Sequence, residues 1–577
     1  MRASNTTVGR WLPGFVQIKS YQKQWLSDDL VAGLVLSALL VPQGMAYAEL
    51  AGLPPVTGLY TSVLCLLAYA IFGPSKILVL GPDSALGPMI AATILPLIGA
   101  NGNPSRAVAL ASLLALFAGA IMALGGIAKL GFVADLLSKP TMLGYMNGLA
   151  LTILVSQLPK LFGFSINANE FFGKARQIVV AVFDGQLVPA AAAVGIASLA
   201  LILVLQKFVR KLPAVLFVVV VATAATTVFD LGGRGVSLVG PLPQGLPKLT
   251  IPSVAWRDLL PVLAGALGIV LVALTDTIST SASFAERRDE EIDGSQEMFG
   301  IGMANLAAGL FQGFPVSTSG SRTAVSEQSG AKTQLTGVIG AVMIALMLVA
   351  FPGLLRNLPQ AALAAVVIAA SISLADIPAT RRLWFQSRAD FFISIAAFLG
   401  VALLGVLTGI AVAVGISVAN VFRRAWWPHQ ATLGRVSGMR GFHDVSRHPN
   451  AEQLVGCVMY RFDAPLIFAN ARTFRDQIRQ FASSDPRPLW IIVEAEPIID
   501  IDTTACDMLE DLVTALDKQG TKLVFAEMKT HSRHKLLQYG LGKPLSDDRF
   551  FPTLRAAVSA CREELGERWV EVRKEQD

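Results

Sequence analysis

The sequence predicts a polytopic α-helical membrane protein carrying a small α/β domain after its membrane part. Three observations predict it. The chain has 577 residues, of which 53% are hydrophobic and 15% charged, whereas a soluble chain carries roughly 25% charged residues. The charge is unevenly placed, with long apolar stretches over residues 29–425 and soluble-domain composition from Gly434 onward. Apolar stretches also recur as about fourteen elements, most near the ~20 residues that a helix needs to cross a bilayer. The resulting division is an N-terminal segment (1–28), a membrane domain (29–425), a linker (426–450), an α/β domain (451–566) and a polar tail (567–577).

Composition narrows the function. A polar N-terminus leads directly into a spanning segment, so no cleavable leader is expected. Cys65, Cys457, Cys506 and Cys561 are scattered without C-x-x-C spacing, which suggests neither a disulfide framework nor a zinc site. All five histidines lie at His429 or beyond. Carboxylates are therefore the only groups in the membrane domain that titrate near neutral pH. The net charge of +6 comes mainly from short loops and gives no reason to expect nucleic-acid binding.

The first span, LVAGLVLSALLVPQGMAYAEL over 30–50, is interrupted by Pro42, Gln43 and Tyr47. Gln43 and Tyr47 are four apart and share a helical face. The second, PVTGLYTSVLCLLAYAIFGPSK, ends at Lys76, and GPDSALGP (81–88) then breaks the third before an apolar stretch to Leu97. Further spans are expected near 106–127, 131–157, 187–206, 213–230, 259–285, 297–312, 321–330, 335–352, 360–375, 389–407 and 408–422. Loops after even-numbered elements hold Lys76, Lys207, Arg210, Lys211, Arg287, Arg288, Arg381, Arg382, Arg388, Arg423 and Arg424. That bias predicts both termini on the cytoplasmic side of the cell membrane.

Two stretches carry the chemistry. The apolar helix that opens LVALTDTISTSASF at Leu271 contains one acid, Asp276, and a mid-bilayer carboxylate costs about 2.5–3.5 kcal/mol on insertion scales. The stretch GFPVSTSGSRTAV is broken by Gly313 and Pro315, exposing backbone groups that lipid cannot satisfy. Both make sense if they line one polar, ion-binding cavity. A faint repeat supports this, since Gln43 to Ser84 is 41 positions and Asp276 to Ser319 is 43. Seven elements plus seven orient the halves oppositely, the inverted-repeat arrangement of secondary transporters. There, half-helix N-termini offer free N–H groups and about half a positive charge each to an anion.

The candidate anion ligands are therefore Ser84 and Ala85 at the first break, and Ser319, Gly320 and Ser321 at the second. Gln43 and Tyr47 are neutral donors, or alternatively an interhelical hydrogen-bonding pair. Arg322 either pairs with Glu327 or adds positive potential beside the anion. Asp83 reads as a helix-start residue. Asp276 and Thr280 share a face, and their oxygens suit H⁺ or Na⁺. In the C-terminal part LVGCVMYRF, PLIFA, PLWIIVEAE and TKLVFAE read as strands, with helices near 470–481 and 503–517.

These residues together resemble the SulP (sulfate permease) family of anion transporters. PVTGLYTSVLCLLAYAIFGPSK is similar to the family signature, with Thr57 where tyrosine is usual. VPQGMAYAELAGLPP, GPDSA, Ala304-Asn305-Leu306 and FPVSTSGSRTAV fit as well, and the tail resembles a STAS domain. The resemblance implies a 7+7 inverted-repeat fold like that of uracil permeases, a substrate site between the third and tenth elements, and a homodimer in the lipid membrane. It implies transport of a small inorganic anion and no enzymatic activity. No nucleophile–base set, phosphate-binding loop or metal cluster argues otherwise. Sulfate leads, coupled to H⁺ or Na⁺. The family position of Asp276 is often Glu, and the shorter acid leaves room for a coordinated ion, which favours cation coupling; Na⁺-dependent bicarbonate symport is the alternative, motivated by Asp276 and Thr280. C4-dicarboxylate and chloride follow. In soluble STAS relatives a Ser or Thr after such an Asp is phosphorylated, which makes Thr503 the corresponding candidate. Its structural alternative is simple capping of the helix by Asp502 or Thr503.

Overall fold

The computed structural model describes residues 11–571, apart from 100, 101, 167, 169, 170, 210–212, 289, 292, 449 and 567. Arg210, Lys211, the first ten residues and the end of the polar tail, all used above, lie outside the described residues. The chain divides into two compact units, Met1–Ser417 and Val418–Asp577.

The first unit opens with a short helix, α1 (Pro13–Lys19), followed by α2 (Leu26–Leu50), α3 (Pro55–Phe72), the two-residue strand β1 (Leu80–Gly81) and α4 (Gly87–Ile98). Then come α5 (Pro104–Ile127), α6 (Lys139–Phe162), α7 (Phe171–Phe183), α8 (Pro189–Phe208) and α9 (Ala214–Val228). The second half holds α10 (Trp256–Glu286), α11 (Gly294–Leu310), the strand β2 (Ser317–Thr318), α12 (Gly320–Gln328) and α13 (Leu335–Ala350). It ends with α14 (Gln360–Leu374), α15 (Ile377–Gln386), α16 (Arg388–Leu404) and α17 (Val406–Trp426), the last running on into the second unit. Among the described residues, eight helical stretches are long and apolar enough to cross a bilayer. With the shorter helices α4, α9, α11, α12, α13 and α16, the described structure has the fourteen elements expected from the sequence.

Local chemistry sets several boundaries. Pro55, Pro104, Pro140 and Pro189 sit in the first turns of α3, α5, α6 and α8, where a missing N–H costs nothing. The span expected to start at 131 begins instead at Lys139, because residues 131–136 wind as 3₁₀ turns ahead of Pro140. Helices α7 and α15 were not anticipated. Each exposes large apolar side chains, Phe172 and Phe183 on one and Ile377 and Phe385 on the other.

Helix packing sorts the first unit into two groups. Helices α2–α5 pack with α10–α13, while α6, α8 and α9 pack with α14 and α16. Each half of the chain thus contributes its first four elements to one group and its later ones to the other, as an inverted repeat requires. Close backbone crossings hold the first group together. A Cβ on Gly58 would strike the Gly44 carbonyl, and one on Gly119 would lie 2.8 Å from the Gly302 carbonyl. Small residues at such crossings are how membrane helices gain packing without a hydrophobic driving force. Asp29 is fully buried yet satisfied, accepting from the Lys332 and Thr333 N–H groups and from the Thr333 and Thr336 hydroxyls at 2.7–3.1 Å. It fixes the turn into α13.

The second unit contains strands β3 (Gln430–Arg435), β4 (Phe442–Asp444), β5 (Glu452–Leu454), β6 (Cys457–Phe462), β7 (Trp490–Glu494), β8 (Lys522–Ala526), β9 (Phe550–Phe551) and β10 (Trp569–Glu571). Their order is β10-β5-β3-β6-β7-β8-β9, with β4 on β3 and the run from β6 to β9 parallel. Helices α18 (Ala471–Ala482), α19 (Thr503–Lys518), α20 (Thr530–Gln538) and α21 (Leu554–Leu565) complete the unit. The strand β7 shows how it is layered. Ile491 and Val493 join the core beneath α18 and α19, while Trp490 and Ile492 join the core beneath α21, the alternation of a strand buried on both faces. PLIFA, expected as a strand, makes one bridge at Leu466 and then turns. The Ile467 N–H goes to Asn470 Oδ1 and the Phe468 N–H to Asp502 Oδ2, so side chains take the donors that a strand would need. All four cysteines are buried and free.

Candidate functional site

The two broken segments meet. β1 and β2 pair antiparallel, Leu80 with Thr318 and Gly81 with Ser317, as two strands related by a twofold axis in the membrane plane must. Each leads directly towards a half-helix, α4 or α12. The crossing is possible only because its backbone groups are satisfied. The Gly313 N–H bonds Ala308 O, and its carbonyl accepts from Ser112 Oγ. The Phe314 N–H donates to Thr61 Oγ1. Asn305 holds Val316 at both ends, Oδ1 accepting its N–H at 2.9 Å and Nδ2 donating to its carbonyl at 3.2 Å. The Ser319 N–H then bonds Val79 O, and the Val79 N–H bonds Thr323 Oγ1. Asn305 and Thr61 are the residues whose roles sequence reasoning missed. Ala304-Asn305-Leu306 marked the place, but only the fold shows that Asn305 clamps an extended strand 11 residues downstream.

The half-helix N-termini differ. At α4 the Ala85 N–H is already bonded to Asp83 Oδ1 at 2.8 Å, so the chain's own acid occupies the mouth of that helix. Asp83 thus closes the turn that leads into α4, accepting the Ala85 N–H on its carboxylate and the Gly87 N–H on its carbonyl, while Leu86 is the N-cap. At α12 Ser319 is the N-cap, its Oγ accepting from the Arg322 N–H at 3.4 Å and lying 3.1 Å from Ser321 Oγ. Among the described residues the Gly320 and Ser321 N–H groups have no acceptor. A helix N-terminus with free donors carries the positive end of the helix dipole and suits an anion.

Arg322 lies directly behind this mouth and is 1% exposed. Its Nη1 donates to Pro82 O at 2.6 Å, whereas Nε and Nη2 are buried without partners among the described residues. Pairing with Glu327 does not occur. Glu327 binds Arg288 at 3.3 Å, and Arg322 turns the other way, to pack on Gly81 with Cζ 3.5 Å from where a Cβ would stand. A buried guanidinium with two idle donors is costly unless something anionic shares the site.

Helix α10 supplies the acid. Asp276 Oδ2 accepts from Ser317 Oγ at 3.5 Å, and the neighbouring Thr277 Oγ1 accepts from Thr318 at 3.2 Å. One turn on, Thr280 faces α12, its Oγ1 3.9 Å from an ideal Cβ on Gly320. Asp276 lies within electrostatic reach of Asp83 and Arg322. Tyr47, buried on α2, is within reach of the same two charges and beside Ser84. Gln43 is half-buried one turn earlier on the same helix. The fold therefore brings Tyr47, Ser84, Asp276, Thr280, Ser319, Gly320, Ser321 and Arg322 to one crossing, all on elements of the first packing group. Thr503 lies in the second unit, exposed in the first turn of α19, where Asp502 caps the helix by accepting from the Ala505 N–H at 2.8 Å.

An inverted repeat whose broken segments cross between half-helix N-termini defines a secondary membrane transporter. More specifically, the chain belongs to the sulfate permease family, which it matches over residues 26–397, and it carries a STAS domain matched over 448–557. It is 39% identical to a protein named "Probable sulfate transporter" from Mycobacterium tuberculosis over 557 residues, covering 96% of this chain and 99% of that one. Sulfate transporter 1.3 of Arabidopsis thaliana is 30% identical over 95% of this chain and 87% of its own. Among solved structures, the murine Solute Carrier 26 family member A9 anion transporter in the inward-facing state shares the fold with a TM-score of 0.88 at 22% identity, over 98% of this chain and 96% of that one. The transmembrane domain of a cyanobacterial bicarbonate transporter matches with a TM-score of 0.61 at 23% identity, covering 68% of this chain and 99% of that one.

Proposed function

We propose that the protein takes up sulfate through the cell membrane by alternating access, coupled to a cation, H⁺ or Na⁺, that acts at Asp276. The observation that carries this reading is the α12 mouth. Two backbone N–H groups at a positive helix end, unpaired among the described residues, stand beside a buried guanidinium with idle donors. That set suits a small oxyanion without asking for base recognition or a metal. The names of the relatives at 30–39% identity favour sulfate among such anions.

In this reading Gly320, Ser321 and Ser319 bind the anion, Arg322 supplies long-range attraction, and Tyr47, Gln43 and Ser84 close the cradle from α2 and the α4 side. Ala85 contributes shape rather than its N–H. A divalent anion entering against an inside-negative potential faces about 4.6 kcal/mol per 100 mV, twice the single-charge value. Each co-transported monovalent cation, one of them at Asp276, offsets half of that cost. All these residues ride on one packing group, so its movement against the other would carry the site between the two sides. The bias of basic residues towards alternate loops favours cytoplasmic termini, and the working form is taken to be a homodimer in lipid. The membrane domain (29–425) carries transport, and the STAS domain modulates it, with Thr503 the site where phosphorylation would act.

Reconstituted full-length protein, offered labelled sulfate, bicarbonate, fumarate and chloride with and without Na⁺ or pH gradients, tests the reading. Sulfate accumulation driven by one cation gradient is expected. Na⁺-driven bicarbonate accumulation without sulfate uptake would transfer the site to the second reading, which the Asp276–Thr280 face favours.

A further inference from the structure

We propose that an anionic phospholipid binds the second packing group of the membrane unit, with an acyl chain in a cavity among α6, α14, α15 and α16 and its phosphate on Arg381, Arg382 and Arg388. The cavity measures about 600 Å³. It is open on one side, and its volume lies in the range of ligand pockets. Its wall is almost wholly apolar, including Leu151, Leu154, Ile372, Ile395 and Phe398. Deep in the lining, the Ser394 hydroxyl is fully buried and has no hydrogen-bond partner among the described residues.

The mouth is built rather than accidental. Asn147 on α6 donates to Thr380 Oγ1 at 2.9 Å and accepts the Asp376 N–H at 2.8 Å. These two bonds hold the start of α15 at the cavity rim, where Ile377, Pro378 and Thr380 join the lining. On α15 the positions Ile377, Thr380, Arg381 and Trp384 follow the i, i+3, i+4, i+7 spacing of one helical face, so the lining face continues into Arg381 and Trp384. The Arg388 guanidinium stacks over the Trp384 ring at 5.4 Å, an amphipathic arrangement suited to a membrane interface. Among the described residues none of Arg381, Arg382 and Arg388 forms an ion pair with a carboxylate.

Charge and shape together choose the occupant. Free phosphate would leave the apolar cavity empty, and a neutral hydrocarbon would leave three arginines without a counter-ion. An anionic lipid satisfies both. Its bilayer is at hand, since Phe385 and Phe392 beside the mouth are 76% and 60% exposed on a membrane-spanning unit. Basic clusters at a membrane surface attract anionic headgroups.

The full-length protein is reconstituted in vesicles of equimolar phosphatidylglycerol and phosphatidylcholine, extracted in mild detergent, and its retained lipid identified by native mass spectrometry. Wild type is expected to retain phosphatidylglycerol in preference to phosphatidylcholine. The surface variant Arg381→Gln/Arg382→Gln/Arg388→Gln should retain about a hundredfold less, as the loss of three arginine–headgroup attractions near a membrane implies. Leu151→Trp, which fills the cavity, should lose the same lipid while sulfate uptake persists. Glycerol phosphate, a headgroup without chains, should not compete. Unchanged phosphatidylglycerol retention in either variant overturns the proposal, as does full competition by glycerol phosphate. So does a Leu151→Trp protein that keeps its lipid but falls from dimer to protomer, which would give the cavity to a second copy of the chain.

Discussion

Replacing Gly320 by alanine adds a single methyl group at the mouth of α12. The protein has room for it, because an ideal Cβ there meets only Thr280, at 3.8 Å to Cγ2 and 3.9 Å to Oγ1. The helix gains as well, since alanine is favoured over glycine in a helix by roughly 0.5–1 kcal/mol where the backbone allows it. The Cα–Cβ bonds of a helix tilt toward its N-terminus, so the methyl projects towards the free Gly320 and Ser321 N–H groups. Losing one hydrogen bond to a charged partner costs about 1.5–3 kcal/mol, and each 1.4 kcal/mol is tenfold in affinity. The Gly320→Ala protein should therefore unfold at an unchanged or higher temperature yet bind sulfate about 10- to 100-fold more weakly. Sulfate KM in proteoliposomes, measured beside thermal unfolding, checks both halves. An unchanged KM in a stable protein refutes the placement of the anion at α12. A loss of stability would show that the available space was misjudged.

Asp276→Asn keeps size and hydrogen bonding but removes the charge, and should abolish gradient-driven accumulation while leaving sulfate exchange. Full concentrative uptake by that variant would exclude Asp276 from coupling. Thr280→Val should weaken Na⁺ dependence if the cation is Na⁺ and change proton-driven uptake much less, as read from uptake against each gradient separately. The Lys160–Glu49 pair, at 3.4 Å, ties the C-terminal ends of α6 and α2, one helix from each packing group, with the carboxylate only 9% exposed. Glu49→Gln should alter the exchange rate by about fivefold or less, as a partly exposed pair allows, and Glu49→Lys with Lys160→Glu should restore it; failure to restore would mean the pair does not gate the motion. Asp502→Ala removes the α19 cap and should destabilise the STAS domain by about 1–2 kcal/mol while membrane-domain sulfate binding stays intact, seen as a lowered unfolding transition with an unchanged sulfate-induced shift.

Much of the site was legible because expense is visible in a sequence. An acid in a spanning helix and a Gly/Pro break in an apolar stretch both demand a polar cavity, and Asp276 does meet the broken stretch, at Ser317 on β2. What the sequence hid is set by contacts between distant segments. β1 and β2 are two residues each, too short for periodicity to reveal, and they exist because the segments cross. Arg322 has Glu327 five positions on, yet Arg288 claims that acid and the Pro82 carbonyl claims the arginine. The α4 N-terminus looked equivalent to that of α12 until Asp83 proved to have taken the Ala85 N–H. Helices α7 and α15 escaped because their apolar and polar residues are mixed, and hydropathy over a spanning window does not register an amphipathic helix. PLIFA has a strand's composition, but Asn470 and Asp502 capture its donors.

The most direct test of the central claim is to locate the anion. A structure of the protein with selenate, read from the anomalous signal of selenium, should place one ion within hydrogen-bonding distance of the Gly320 and Ser321 N–H groups, on the side towards Arg322 and Thr280. The same ion bound instead at the α4 mouth beside Asp83, or outside the β1–β2 crossing altogether, would contradict the account.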